Sequence, residues 1–195
     1  TNEEKEEILN KINKFKYAES KPFFIWELEF SEVFQGKNPG FDIVIGNPPY
    51  VRHENIKELK PALKEIYETY TGAADLYVYF FEKGIKLLKE NGCLSYITSN
   101  KYTRANYGKK LREYIFTHRK LSGVIDLEHL QPFSATTYTL ISCFENNTNN
   151  CQIDYYTLND SYQDKKYQDT LTYSDILIGK EFYFSHKDSL TLLRN

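Results

Sequence analysis

The apolar run Phe41-Asp42-Ile43-Val44-Ile45-Gly46 stops at Asn47-Pro48-Pro49-Tyr50, and this junction narrows the choice of fold more than any other stretch. Two consecutive prolines remove two backbone donors and fix φ, so neither a strand nor a helix runs on through them. The run reads as a strand that ends in a stiff polar loop. In open α/β sheets, ligands bind in the crevice outside the carboxyl ends of the strands.

Asn47 and Tyr50 give this loop its chemistry. The Asn47 side-chain oxygen can accept one N–H, and the Pro48 carbonyl can accept another. Pro49 follows with a fixed φ and holds that carbonyl in place. Two acceptors side by side suit the exocyclic amine of adenine, whose lone pair is delocalised into the ring until the nitrogen is made more pyramidal. Tyr50 offers a face on which a flat base can stack. Such a site works by orientation and preorganised electrostatics and needs no strong base or metal. A base inside a duplex reaches it only by flipping out, at a cost of roughly a few kcal/mol that stacking partly offsets. The competing reading is a plain turn, since Asn-Pro-Pro also ends ordinary strands.

The rest of the chain supplies the sheet for this loop. Ile8, Ile12 and Phe15 fall on one face of a helix expected over residues 1–17. Residues 22–34 are rich in aromatics, and a helical pattern over 55–70 is interrupted by Pro61. Asp75 is placed to cap a helix with Leu76, Phe80, Leu87 and Leu88 on one side, ended by Asn91-Gly92. Strands are expected over 93–98, 124–127 and 138–145, with a helix over 105–118 that turns Leu111 and Ile115 inward. The order predicts an α/β fold, a partial doubly wound sheet whose terminal strand is antiparallel. Right-handed crossovers bring the loops after residues 46, 98 and 127 to one edge. The polar breaker at 146–150 marks a boundary between a region 1–145 and a region 146–195.

Composition limits the alternatives. Formal charge is 25 − 27 = −2, so any nucleic-acid contact must come from a local patch. Cys93, Cys143 and Cys151 form no C-x-x-C pair, and buried thiols in a reducing cytosol are expected. The four histidines show no metal-ligand spacing, and no G-x-S-x-G or phosphate-binding G-x-x-x-x-G-K-[ST] occurs. No stretch has membrane-spanning length.

The chain resembles the amino-methyltransferases, and among them the adenine-N6 DNA methyltransferases of bacterial restriction–modification systems. The resemblance runs through the segments Trp26–Phe34, Asn47–Tyr50, Ala74–Lys83, Gly92–Thr98 and Phe133–Ile141, in the family's order. It implies a Rossmann-like methyltransferase sheet, S-adenosylmethionine as methyl donor, and double-stranded DNA with a flipped adenine as partner. Asn47, Pro48, Pro49 and Tyr50 would form the catalytic loop. Phe133 would contact the flipped base beside Tyr50, and Phe80 would line the cofactor's adenine. Both rings also fit a plain packing role. A cytoplasmic bacterial enzyme, to which target-recognition and endonuclease parts can be fused, is the expected setting.

The family's glycine-rich cofactor loop has no counterpart before Asn47, because Gly36, Gly40 and Gly46 have the wrong spacing. Residues 1–145 are therefore expected to be the C-terminal portion of a methyltransferase domain. Residues 146–195 are expected to be a linker or the start of a target-recognition region, and the chain alone to be inactive. Lys101 heads a basic stretch running to Lys120 and is the candidate contact to the DNA backbone, together with Arg52. A solvated helix face is the alternative for that stretch. Methylation of a release-factor glutamine or an RNA guanine-N2, and a non-catalytic binding role, are the rival functions.

Overall fold

The computed structural model describes residues 5–6, 9–10, 24–118, 120–128, 130, 132–133, 138–147, 152–158, 161, 163 and 165–194. It divides into two compact units, Thr1–Pro39 and Gly40–Asn195. The first holds two short helices, α1 (Trp26–Glu29) and α2 (Ser31–Phe34). Trp26 stacks on Phe30 with 5.7 Å between centroids and meets Phe24 edge-on at 4.9 Å. The helix expected over 1–17 falls mostly outside the described residues; Lys5, Glu6, Leu9 and Asn10 are helical.

The second unit runs β1 (Phe41–Gly46), a 3-10 segment His53–Leu59, α3 (Lys60–Ile66), α4 (Tyr77–Lys86), β2 (Leu88–Ser99) and α5 (Lys109–His118). It continues with β3 (Leu121–Asp126), β4 (Thr139–Glu145), β5 (Gln152–Leu158) and β6 (Lys165–Thr172). After these come α6 (Tyr173–Ile176), the small hairpin β7 (Leu177–Ile178) and β8 (Glu181–Phe182), and α7 (Lys187–Leu192). Six strands form one mixed sheet in the order β1-β2-β4-β3-β5-β6. β1 pairs parallel with β2, and β3 parallel with β5. β4 runs antiparallel to both of its neighbours, β2 and β3. A short connection between β3 and β4 leaves no room for a crossover helix, so the chain folds back and pairs antiparallel, as expected.

Several local expectations change. Pro61 does not interrupt a helix but sits in the first turn of α3, where a missing N–H costs nothing. Asp75 makes no side-chain cap: the N-cap of α4 is Leu76, in αR conformation. α4 ends at Lys86, and Leu88 already belongs to β2, which passes through Asn91 at φ 61 and Gly92. Cys93 is exposed rather than buried, because it points to the uncovered face of the sheet. The sheet also continues past the polar breaker. Asn146 donates from its backbone to the Gly92 carbonyl at 2.8 Å, and its side chain donates to Leu88 and Lys89 carbonyls at 3.1 and 3.0 Å. Its Oδ1 accepts from the Lys120 Nζ at 2.7 Å. Asn146 thus anchors the start of the segment that leads on to β5 and β6.

The two faces of this sheet differ. Val44, Leu94, Phe144, Val124 and Ile153 lie toward α4 and α5, which contribute the buried Tyr77, Val78, Phe81, Ile85, Leu111 and Ile115. Phe81 is at the centre, with its ring 5.6 Å from Tyr96, 5.2 Å from Tyr102 and 5.4 Å from Phe144. On the other face, Ile43 is 71% exposed and Ile45 81% exposed. Cys93 is registered beside Ile43 and Ser95 beside Ile45. β1 is also one of the two edge strands of the sheet, β6 being the other. Parallel strands normally carry helices on both faces, which is why β1 reads as a near-continuous apolar run.

Candidate active site

The loop that leaves β1 is positioned from three directions. At its start, a Cβ on Gly46 would come within 3.2 Å of the Tyr96 ring, so glycine lets the strand pass closely under that side chain. Pro48 is buried, whereas Asn47, Pro49 and Tyr50 are exposed. At its end, the Val51 amide donates back to the Pro49 carbonyl at 3.0 Å. Residues just before α4 then hold the exit. The Leu76 amide donates to the Val51 carbonyl at 2.9 Å, and the His53 amide donates to the Asp75 Oδ1 at 3.1 Å.

Tyr50 stands in an aromatic group. Its ring lies 6.0 Å from Tyr77 and 6.3 Å from Phe133, both tilted. Phe133, distant in sequence, is thereby brought to the tyrosine of the Asn47–Tyr50 loop. Burial pushes the Tyr50 phenol above its usual pKa, while the Ser99 backbone amide pulls it down. Tyr77 is buried, and its hydroxyl is 3.0 Å from that of Tyr107. Burial first, and then the Tyr107 hydroxyl, drive the Tyr77 phenol far up. These are neutral rings at physiological pH: a stacking surface rather than an acid–base pair.

The turn after β2 flanks this group. Ser99 Oγ accepts from the Lys101 amide at 3.3 Å, and Thr103 Oγ1 donates to the Asn100 carbonyl at 2.7 Å. Arg112, buried on α5, donates through Nη1 to the Tyr102 and Ala105 carbonyls at 2.7 and 2.8 Å, and through Nε to the Lys180 carbonyl at 2.7 Å. A Cβ on Gly108 would sit 2.3 Å from the Tyr102 carbonyl oxygen, so only glycine allows the turn to close. The turn is therefore rigid, and it leaves Lys101 exposed. Arg52 is exposed as well. Arg104, another member of the basic stretch, has its guanidinium 4.5 Å from the centre of the Tyr183 ring.

Phe80 is 37% exposed, and the ring contacts among the described residues do not join it to Tyr50. α4 buries Tyr77, Phe81 and Ile85 instead, so Phe80 is not in the core as a packing role requires. Sequence reasoning missed Tyr77 and Tyr107. The first lies in a segment singled out by resemblance, Ala74–Lys83, while nothing in the spacing of the second marks it. Arg112 belongs to the basic stretch from Lys101 to Lys120, but it is buried against backbone carbonyls rather than set on a solvated face or offered to a phosphate.

Comparison with known proteins identifies the family. The Eco57I restriction-modification methylase family matches residues 1–133. The chain belongs to that family. It is 39% identical over 122 residues to the type II methyltransferase M.BstVI of Geobacillus stearothermophilus, a match covering 61% of this chain and 21% of the relative. It is 35% identical over 132 residues to the type II restriction enzyme and methyltransferase RM.Eco57I of Escherichia coli, covering 65% of this chain and 13% of that one. This Eco57I-family chain thus spans about a fifth or less of the length of either. Among solved structures, the type IIL restriction-modification enzyme MmeI in complex with DNA shares the fold, with a TM-score of 0.52 and 15% identity over 64% of this chain and 18% of that one. No helix among the described residues is long and apolar enough to cross a membrane.

Proposed function

We propose that this chain is the substrate-holding portion of a DNA adenine-N6 methyltransferase of a restriction–modification system. One observation carries the reading. Tyr50 at the carboxyl end of β1 and Phe133, remote in sequence, converge to 6.3 Å beside the exposed Asn47. A flipped adenine rests against the two rings. Its amino group donates one hydrogen bond to the Asn47 side-chain oxygen and one to the Pro48 carbonyl. The nitrogen is held more pyramidal with its lone pair aimed outward at the methyl group a sulfonium donor would supply; the N–C bond would form as the donor's S–C bond breaks, leaving a thioether, and the amine would then lose one proton to water. The protein contributes orientation and fixed dipoles. Lys101 and Arg52 meet phosphates of double-stranded DNA, adding salt dependence to binding.

S-adenosylmethionine supplies the electrophilic methyl when bound. Phe80, exposed on α4, fits one side of its adenine ring. The remaining cofactor contacts come from a glycine-rich part outside this chain, so the chain alone binds the cofactor weakly and does not methylate. The uncovered β1 face supports this division. Ile43 and Ile45, exposed on an outermost strand, are placed for a further strand and a helix layer. Residues 146–195, which add β5 and β6 to the same sheet, would be a linker or the start of a target-recognition region.

The test is transfer of labelled methyl groups by the full-length enzyme. We expect label on adenine N6 of duplex DNA at one recognition sequence. Label on release-factor glutamine or RNA guanine-N2, with none on adenine, would refute the reading.

A further inference from the structure

The Asn47–Tyr50 loop contains two prolines and so has few backbone donors with which to fix itself. Two hydrogen bonds tie its exit to the segment before α4: Leu76 amide to Val51 carbonyl at 2.9 Å, and His53 amide to Asp75 Oδ1 at 3.1 Å. Only the second uses a side chain. That side chain has no role in capping its own helix, since the N-cap is Leu76 and accepts no side-chain bond. The His53 ring lies beside it as well, with Nδ1 3.9 Å from the same oxygen. The segment carrying Asp75 also carries Tyr77, whose ring faces Tyr50 at 6.0 Å. One short stretch therefore sets both the loop's exit and the wall behind its stacking ring.

We propose that Asp75 is a positioning residue for methyl transfer: by holding the His53 N–H it fixes the Pro48 carbonyl and the Tyr50 ring in their productive places. This rests on the amine-holding role of the loop given above. Asp75 touches no reacting atom. Its effect passes through the backbone from His53 back to Pro48. A displacement of about 1 Å at a reacting centre can lower turnover on the order of 10²-fold.

The test uses the full-length enzyme with a duplex substrate. Methylation of adenine by the unaltered enzyme checks the function itself, and ratios between variants check the positioning. We expect Asp75→Ala to lower kcat by about 10²-fold, with KM for the duplex within about threefold of normal. Asp75→Asn keeps an acceptor for the amide and should recover most of that loss. The donor can be removed from the other side. Arg52 is extended at ψ 149 and precedes the first residue of the 3-10 segment, so proline fits at position 53. His53→Pro, compared with His53→Ala, should show the same drop in kcat, and the Asp75→Ala/His53→Pro pair should be no worse than either. If Asp75→Ala does not fold, the His53→Pro and His53→Ala comparison decides. Turnover within twofold of normal in Asp75→Ala, no recovery in Asp75→Asn, or additive losses in the pair would overturn the proposal.

Discussion

The two faces of the six-stranded sheet are built from similar residues and meet different surroundings. On the closed face, Phe81 reaches three aromatic neighbours and is fully buried, among mostly apolar or aromatic inward side chains, with the buried Ser142 hydroxyl 2.8 Å from that of Tyr102. On the open face, Ile43 and Ile45 have the same hydropathy as Val44 between them and stand in water. A strand that is apolar on both sides is a strand meant for burial on both sides. The difference therefore separates what this chain stabilises by itself from what it offers to a further layer. The Asn47–Tyr50 loop lies at the junction, because β1 carries the closed face, the open face and Asn47 after its end.

Emptying the closed face tests the comparison hardest. Phe81→Ala removes the ring at the centre of the core and should cost about 3–5 kcal/mol, read as a lowered denaturant midpoint. A loss below about 1 kcal/mol would mean that the closed face is not what holds the sheet. Glu82, the next residue, probes the polar side of the same helix. Its side chain is fully buried and accepts from the Glu68 and Thr69 amides at 3.2 and 2.9 Å and from the Lys86 ammonium at 2.5 Å. Burial pushes this carboxyl up, but Lys86 and the amides outweigh it and leave the pKa below the usual value. A carboxylate lowered on folding stabilises the native state above its unfolded pKa and loses that contribution as pH falls through the folded value. Glu82→Gln should therefore cost about 1–3 kcal/mol near neutral pH, and the gap to the parent should close in acid below the ordinary carboxylate range. A gap that does not change with pH would remove the carboxylate from the account. The smallest effect belongs to the open face. Ile45→Lys should leave the stability of this chain within about 0.5 kcal/mol, while lowering the stability of the full-length enzyme by several times as much. Equal effects in the two would mean that the face stays open.

Sequence patterning carried β1 to β4 and the longer helices, because their apolar residues recur regularly, whereas β5 and β6 lie in a Tyr/Asp-rich tail whose weak periodicity marked no strand. β1, β4 and α5 lie within a residue or a few of their expected positions, and the antiparallel direction of β4 followed from the short, helix-poor connection before it. What failed was decided by tertiary contacts. Asp75 has the composition of a helix cap, yet its carboxylate accepts instead from the His53 amide, just beyond the Asn47–Tyr50 loop. Pro61 reads as a breaker until the helix is seen to begin beside it. Asn146 looks like the first residue of a loose linker, and its hydrogen bonds to β2 and to Lys120 turn it into an anchor. At the site, the four loop residues and Phe133 came from motif and resemblance. The Tyr77–Tyr107 hydroxyl pair and the three carbonyls bound by Arg112 depend on folding distant segments together, and no periodicity encodes them.

The most direct test of the central claim is single-turnover methyl transfer to duplex adenine by full-length enzyme carrying Asn47→Ala, with duplex and cofactor binding measured on the same preparation. Loss of one preorganised acceptor should slow transfer by about 10²–10³-fold, with binding and thermal stability close to those of the parent. Turnover within a few-fold of the parent would show that the acceptor pair at the end of β1 does not hold the reacting amine.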